Sequence, residues 1–428
     1  MARPHVVIVG AGFGGIDCAK ELVNEPVDVT IVDRHNFHTF QPLLYQVATA
    51  GLSSSDVAYP VRGIFQDATN VRFRTGTVTG VDFDAKRLAM ADGTDLSYDT
   101  LVLALGATTN WFGVDGAAEH AFPLYGLEDA IRVRNHVITQ FEHADSDASL
   151  LEGGALTFVV LGGGPTGVET AGALTELFGM VFAKDFRRLD VGAARVVLVE
   201  MTDAVLGPFS GRAQRHAREQ LQRRGVDVRL GERVTAVGPD SVTLASGEVL
   251  PTRTVVWAAG VRANPLADVL DVEQGRGGRI VVTRDLRIPS HPEVFVLGDL
   301  AAIEGAGGAL LPQVAQVAKQ SGKYVGKHIA RDRRGRTSGA FRYRDKGTMA
   351  TIGRNAAVAD LPLHIRLTGF VAWVAWLFLH LLYLVGFRNR LSVLVSWGWS
   401  YLTWDRGPRL IIEPVDVTSP AQANRPER

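Results

Sequence analysis

Short runs of β-branched residues alternate along this chain with longer stretches of helical periodicity, the pattern of a parallel α/β protein. Residues 6–9 form an apolar run, followed by the glycine-rich turn 10–15 and a helical pattern to about Val23. Residues 27–32 form a second strand, closed by Asp33. A near copy follows: a strand at 157–161, a glycine-rich turn at 162–167, a helix, and a strand at 195–199 closed by Glu200. Turn signals at 91–94 and 245–248 occupy comparable places in the two halves. Each half then has a buried strand ending in small residues, 100–104 before Leu105-Gly106 and 254–258 before Ala259-Gly260. The pattern therefore predicts two duplicated β-α-β domains.

Beyond Pro289 the run 294–297 predicts another parallel strand, and a helix is expected from near Pro312 to about Ala330. Residues 341–347 and 348–352 predict a hairpin turning at Asp345-Lys346-Gly347. The pattern then changes, because residues 367–387 contain no Asp, Glu, Lys or Arg, and a second apolar stretch covers 391–404. The tail from Pro414 onward is Pro- and Ser-containing.

The glycines supply the first chemistry. Gly10, Gly12 and Gly15 lie between a strand and a helix, with Asp33 twenty-three residues after Gly10. In such a unit the first glycine permits the tight turn and the second lets backbone approach a pyrophosphate. The third lets helix and strand pack closely, and the acid accepts from a ribose hydroxyl. Gly162, Gly164 and Gly167 repeat the pattern, but Glu200 comes thirty-eight residues after Gly162. The intervening helix must be extended, and 178–188 fits that need. A carboxylate at 200, with no arginine beside it before Arg212, repels a 2′-phosphate and favours NADH over NADPH.

Composition narrows the chemistry. The formal net charge is zero, so nothing global points to nucleic acid. Cys18 is the single cysteine, which excludes an internal disulfide and any dithiol mechanism. It reads as a small core residue, and a reducing compartment fits. No metal site is read, and no signal peptide precedes the first strand at His5. Two dinucleotide sites without a thiol pair leave a tightly held FAD, a transient nicotinamide, and an acceptor other than a protein disulfide.

At this point the chain resembles the type II NADH:quinone oxidoreductases, over roughly residues 4–412. The specific matches are Asn36-Phe-His-Thr-Phe-Gln-Pro-Leu-Leu-Tyr-Gln-Val-Ala-Thr-Ala-Gly-Leu-Ser53, Leu311-Pro-Gln-Val-Ala-Gln-Val-Ala-Lys-Gln320, Gly353-Arg-Asn-Ala-Ala-Val358 and Gly-Phe-Arg-Asn-Arg390. The resemblance implies two Rossmann-like domains plus a C-terminal hairpin and apolar helices for membrane attachment. The divisions would be 1–120 and 289–345 for FAD, 121–288 for NADH, and 346–428 for attachment. It implies that Gly10, Gly12, Gly14, Gly15, Asp33, Arg34, Gln41, Val78, Gly106, Asp299 and Ala315 surround FAD. Gly162, Gly164, Gly167, Glu200 and Gly260 would hold NADH. Gln316 would touch the flavin and, with Gln320, face a quinone pocket, while Glu169 would lie near nicotinamide and flavin and handle a proton. The helix dipole, with Pro312 in the opening turn, would meet negative charge at the flavin's pyrimidine end. The bland readings are a packing carboxylate for Glu169 and an amphipathic helix surface for the two glutamines.

The apolar end has three readings: a spanning helix, a buried core or dimer helix, and a monotopic helix pair dipping into one leaflet. Its clustered tryptophans and Arg366, Arg388, Arg390, Arg406 and Arg409 favour the last, at an interface with anionic lipid. The implied partners are NADH, quinone and membrane lipid, with a homodimer left open. The implied place is the cytoplasmic face of the cell inner membrane. Sulfide:quinone oxidoreductases share the architecture but need a cysteine pair. A ferredoxin- or rubredoxin-type reductase has no use for the apolar end, and a non-catalytic FAD/NADH sensor has no use for the glutamine helix.

Overall fold

A computed structural model describes residues 3–403 and 407–412. Trp404, Arg406 and the tail from Pro414 lie outside the described residues. Two sheets carry the two halves, the second parallel throughout and the first parallel but for its edge strand Arg287–Ile288. The first has six strands, with His5–Val9 between Thr100–Leu103 and Asp28–Asp33, and His291–Val296 joining Thr100–Leu103 in parallel. The second has five, with Thr157–Leu161 between Thr254–Trp257 and Arg195–Glu200. Each half adds a three-stranded antiparallel sheet, built on Arg87–Met90 and on Ser241–Leu244, so the duplication extends to the small sheets. The central strands are buried on both faces, which is why their sequences are unbroken apolar runs. A two-stranded ribbon, Ala107–Thr109 against Val261–Ala263, links the halves.

Small residues bring two helices to the first glycine turn. Helix Phe13–Glu21 packs on helix Ala315–Asp332 so closely that a Cβ on Gly322 would stand 2.1 Å from the Gly14 carbonyl oxygen. A Cβ on Gly326 would stand 2.5 Å from the Cys18 carbonyl oxygen. Lys319 pairs with Asp17 at 3.0 Å across the same contact. Cys18 is fully buried there, and burial raises its thiol pKa far above the ordinary range.

In the second half the chain stays helical from Pro165 to Asp185 through a π-turn at Leu177–Phe182, which accounts for the long interval to Glu200. The helical stretch expected to reach 188 stops three residues sooner. Phe178, Phe182 and Phe186 recur every four residues and pack on Phe141.

Three expectations for the C-terminal third are corrected. The helix begins at Ala315, not near Pro312, with Val314 extended before it. The hairpin is not 341–347 with 348–352: Thr348–Gly353 pairs with Ala356–Leu361 around Arg354-Asn355, and Ile365–Gly369 adds a third strand. Residues 341–347 stay outside any strand because the glutamine amides of the adjoining helix take up their backbone groups (below). The charge-free segment 367–387 is not one helix. It ends that third strand, forms Phe370–Tyr383, and breaks before Phe387–Thr403 begins.

Among the described residues no helix is long and apolar enough to cross a membrane. Each of these two helices buries one face and exposes the other. Trp376 is 1% exposed and Trp397 5%, whereas Phe378 is 63% and Trp399 60% exposed. Asn389 donates to the carbonyls of Ser55, Asp56 and Ala58, and Trp397 Nε1 donates to Gln46 Oε1 at 2.8 Å. The pair is thus part of the core and a surface at once.

Candidate active site

The first glycine turn opens onto a cleft of about 590 Å³. Gly10 has φ +111 and a Cβ there would lie 2.4 Å from the Ala104 carbonyl oxygen. A Cβ on Gly15 would lie 1.9 Å from the Gly10 carbonyl oxygen. These two are packing glycines; Gly12 instead faces open space, where a phosphate needs room. Asp33 accepts from the Ala11 N–H at 2.6 Å and the His35 N–H at 2.9 Å. Its carboxylate therefore braces the glycine turn as well as facing the cleft, and it keeps lone pairs for a ribose.

Gly10, Gly12, Gly14, Asp33, Arg34, Gln41, Val78, Gly106, Asp299 and Ala315 all line this cleft. Asp299 is its informative member. One carboxylate oxygen, Oδ1, is buried without a hydrogen-bond partner. Burial pushes the carboxyl up to about 6, against the pull of the Arg279 guanidinium. A buried acceptor left open at the wall of an elongated cleft fits the hydroxyl-rich chain of FAD. Gln313 ties the loop to Asp299 by donating to its carbonyl at 3.0 Å. Ala315 and Ala318 turn the N-terminus of their helix toward the same space.

The two glutamines lie elsewhere than expected. Gln316 Nε2 donates to the Gly347 carbonyl at 2.8 Å and its Oε1 accepts from the Lys346 N–H at 3.3 Å. Gln320 makes the same pair of bonds with the backbone of Arg344, at 2.9 and 3.0 Å. Both amides are spent on the segment leading to the C-terminal sheet, and neither residue lines the cleft.

Glu169 stands apart from the cleft as well, in a smaller cavity of about 50 Å³ with Tyr45, Gln46, Thr351 and Trp376 in its walls. It is 8% exposed. Burial pushes its carboxyl up to about 8, moderated by the Thr351 N–H, which donates to Oε1 at 3.2 Å. The Trp376 indole also stabilises the charged form, although its N–H lies outside hydrogen-bond geometry. The loop 36–53 borders both spaces, sending Phe37, Thr39 and Gln41 to the cleft and Tyr45, Gln46 and Thr49 to the Glu169 cavity.

The second glycine turn repeats the first. A Cβ on Gly162 would lie 2.5 Å from the Ala258 carbonyl oxygen, one on Gly167 1.8 Å from the Gly162 carbonyl oxygen, and Gly164 faces open space. Glu200 accepts from the Gly163 N–H at 2.5 Å and the Thr202 N–H at 2.8 Å, as Asp33 does in the first half. Gly260 sits past the end of Thr254–Trp257, with the Phe112 ring over it.

Two histidines went unassigned in the sequence. His38 is 2% exposed, bonds the Ala11 carbonyl through Nδ1 at 2.9 Å, and is pushed by burial to about 4. It ties the 36–53 loop to the glycine turn, and its place in that motif was the available signal. His380 stacks on Trp376 at 3.9 Å, faces the Phe40 ring edge-on, and is likewise pushed by burial to about 4. Both rings are therefore neutral at physiological pH.

Comparison with known proteins decides the family. The model of the pyridine nucleotide-disulphide oxidoreductases matches residues 4–322, and that of the NDH2 C-terminal domain matches 346–403. A type II NADH:quinone oxidoreductase of Mycobacterium tuberculosis is 39% identical over 96% of this chain and 91% of its own length. The chain belongs to the type II NADH:quinone oxidoreductases. A type II NADH:quinone oxidoreductase of Staphylococcus haemolyticus is 31% identical over 83% of this chain and 89% of its own. Among solved structures, NDH2 of Plasmodium falciparum in complex with NADH superposes with a TM-score of 0.86 at 19% identity. It covers 95% of this chain and 100% of that one, and shows the shared fold.

Proposed function

We propose that this type II oxidoreductase lies on the cytoplasmic face of the cell inner membrane, takes a hydride from NADH at its second half, and delivers electrons to a quinone arriving from the lipid. The chain is an FAD-dependent NADH dehydrogenase that reduces quinone without pumping ions. When bound, FAD would accept one hydride, two electrons with a proton, and pass both electrons on to a quinone.

The chain's own residues divide the remaining work. Gly12 and Gly14 leave backbone N–H groups open to the pyrophosphate, Asp33 takes the ribose, and Asp299 takes a hydroxyl of the ribityl side. Val78, Gly106, Arg34 and Gln41 form the surrounding wall. Ala315 presents a positive helix end to the pyrimidine side. Glu200 accepts from the NADH adenosine ribose and repels a 2′-phosphate. Hydride transfer itself needs positioning more than acid–base help. Quinone reduction needs protons, and Glu169, neutral at pH 7 because it is buried, holds one to give. Gln316 and Gln320 act by fixing residues 344–347, so they shape the acceptor side without touching it.

One observation carries the membrane reading. The exposed apolar faces belong to two helices seated on the loop that borders both the cleft and Glu169: Phe387–Thr403 is bonded to Gln46 and to residues 55–58, and Phe370–Tyr383 packs Trp376 against Tyr45 and His380 against Phe40. A lipophilic acceptor reaching that surface is one layer from both. Bilayer lipid, rather than a second copy of the chain, covers it. Flotation with anionic vesicles tests this, alongside NADH-dependent reduction of a quinone analogue. Failure to float, with a dimer in solution instead, overturns the lipid assignment, and absence of quinone reduction overturns the residue roles.

A further inference from the structure

The turn that follows the interdomain ribbon carries a bulky residue in an unfavourable conformation. Phe112 has φ +51 and the next residue, Gly113, φ +69, while the Val114 N–H donates to the Trp111 carbonyl at 3.0 Å. Two consecutive positive φ angles favour Asn or Gly at the first of them, and phenylalanine there costs energy. Its side chain is not repaid by burial, since Phe112 is 62% exposed. The turn is nevertheless held firmly. The Phe112 N–H donates to Asn110 Oδ1 at 3.0 Å, the Asn110 N–H to the Gly260 carbonyl at 3.1 Å, and Trp257 Nε1 to the Asn110 carbonyl at 2.8 Å. The ring lies over Gly260, where a Cβ would meet Phe112 Cζ at 2.9 Å.

Topology says what passes this point. In the second sheet Thr157–Leu161, which feeds the glycine turn, has Arg195–Glu200 on one side and Thr254–Trp257 on the other. A dinucleotide with its pyrophosphate at the turn and its adenosine at Glu200 must send its other half over the end of Thr254–Trp257, at Ala258-Ala259-Gly260. The first half supports the correspondence. There Gly106 follows the equivalent strand, lines the flavin cleft, and is covered by the Tyr125 hydroxyl, 3.3 Å from where its Cβ would be.

We infer that Phe112 is a substrate-clasping residue, whose exposed ring, resting on Gly260, turns aside as NADH arrives and packs against its nicotinamide nucleoside there. The inference rests on the proposal that the second glycine turn binds NADH. The strained turn holds an apolar ring at the mouth of the site, where it meets solvent until the nucleotide arrives and then packs on it.

Steady-state kinetics of the FAD-loaded full chain test this. Phe112→Ala and Phe112→Asn remove the ring, and the asparagine variant suits the left-handed turn, so its folding is secure. Both should raise KM for NADH about ten-fold, a size expected of one aromatic contact, with kcat and the KM for quinone kept. Phe112→Tyr should restore the wild-type KM. Inhibition by ADP, which has the adenosine and both phosphates but no nicotinamide nucleoside, should be unchanged, whereas inhibition by NAD⁺ should weaken with the KM. An unchanged or lowered KM overturns the inference, as does ADP inhibition weakened as much as that by NAD⁺. Glu200→Ala run in parallel separates the two claims. If Glu200→Ala leaves the KM values for NADH and NADPH as they were, the second turn is not the NADH site and the underlying reading fails. If Glu200→Ala acts and the Phe112 variants do not, only the clasp fails.

Discussion

Replacing Glu169 by glutamine should stabilise the protein at neutral pH while impairing quinone reduction. In the folded chain burial holds this carboxyl protonated up to about 8, against 4.5 for the group in water. Between those values the unfolded chain has lost the proton and the folded chain keeps it, so the unfolded state binds fewer protons. Stability contributed by this group is therefore highest below 4.5, falls as pH rises through the window, and levels off above about 8. At 1.36 kcal/mol per pH unit the penalty reaches about 3 kcal/mol at pH 7. Glutamine has nearly the same shape, accepts from the Thr351 N–H through its own oxygen, and never ionises, so Glu169→Gln escapes the penalty. Thermal unfolding of the FAD-loaded protein at half-unit steps from pH 4.5 to 8.5 measures it, because other titrating groups cancel between variant and wild type. The variant should match the wild type near pH 4.5 and gain roughly 3 °C by pH 7. A gap that stays constant across the window would refute the account of Glu169, as would one that shrinks as pH rises.

Glu200→Gln should narrow the preference for NADH over NADPH, read from kcat/KM for each, and equal use of both by the wild type would sink the assignment. Changing exposed Phe378, Leu382 and Leu394 to serine together should abolish vesicle flotation with FAD retained, since these side chains point away from the core; loss of FAD would mean that the face is structural. Gln316→Ala should slow reoxidation of the flavin by quinone about ten-fold, the size of one lost backbone-holding contact, with reduction by NADH nearly intact. Slowed reduction with normal reoxidation would invert the assignment.

The parts of this molecule legible in the sequence are those set by strand runs and glycines. The two glycine turns could be read because each glycine answers a local demand, a positive φ at Gly10 and Gly162 and an impossible Cβ at Gly15 and Gly167. The hairpin at 341–352 was misplaced because Phe-Arg-Tyr-Arg alternates like a strand. Its backbone partners are the side chains of Gln316 and Gln320, which no periodicity reveals. For the same reason those glutamines looked free to meet a ligand. Pro312, a residue at home in an opening turn, suggested a start for the Ala315 helix three residues too early, whereas Val314 is extended just before it. Glu169 announced itself only by resemblance. Its raised pKa comes from burial, in a cavity whose walls include Thr351 and Trp376, from segments more than 180 residues away. The apolar C-terminal segment could be counted but not divided, because Gly386, at φ +84 against the Tyr59 ring, breaks it in a way that depends on the distant loop.

The central claim is that one flavin serves two separable partners, NADH at the second half and a quinone at the membrane side. Rapid mixing of the FAD-loaded protein tests it most directly, by following flavin absorbance in two steps. Anaerobic NADH should bleach the flavin, NADPH should do so far more slowly, and a quinone analogue added next should restore the oxidised spectrum without any dithiol. A flavin that NADH does not bleach would contradict the account, and so would one that, once bleached, only a disulfide or a protein acceptor restores.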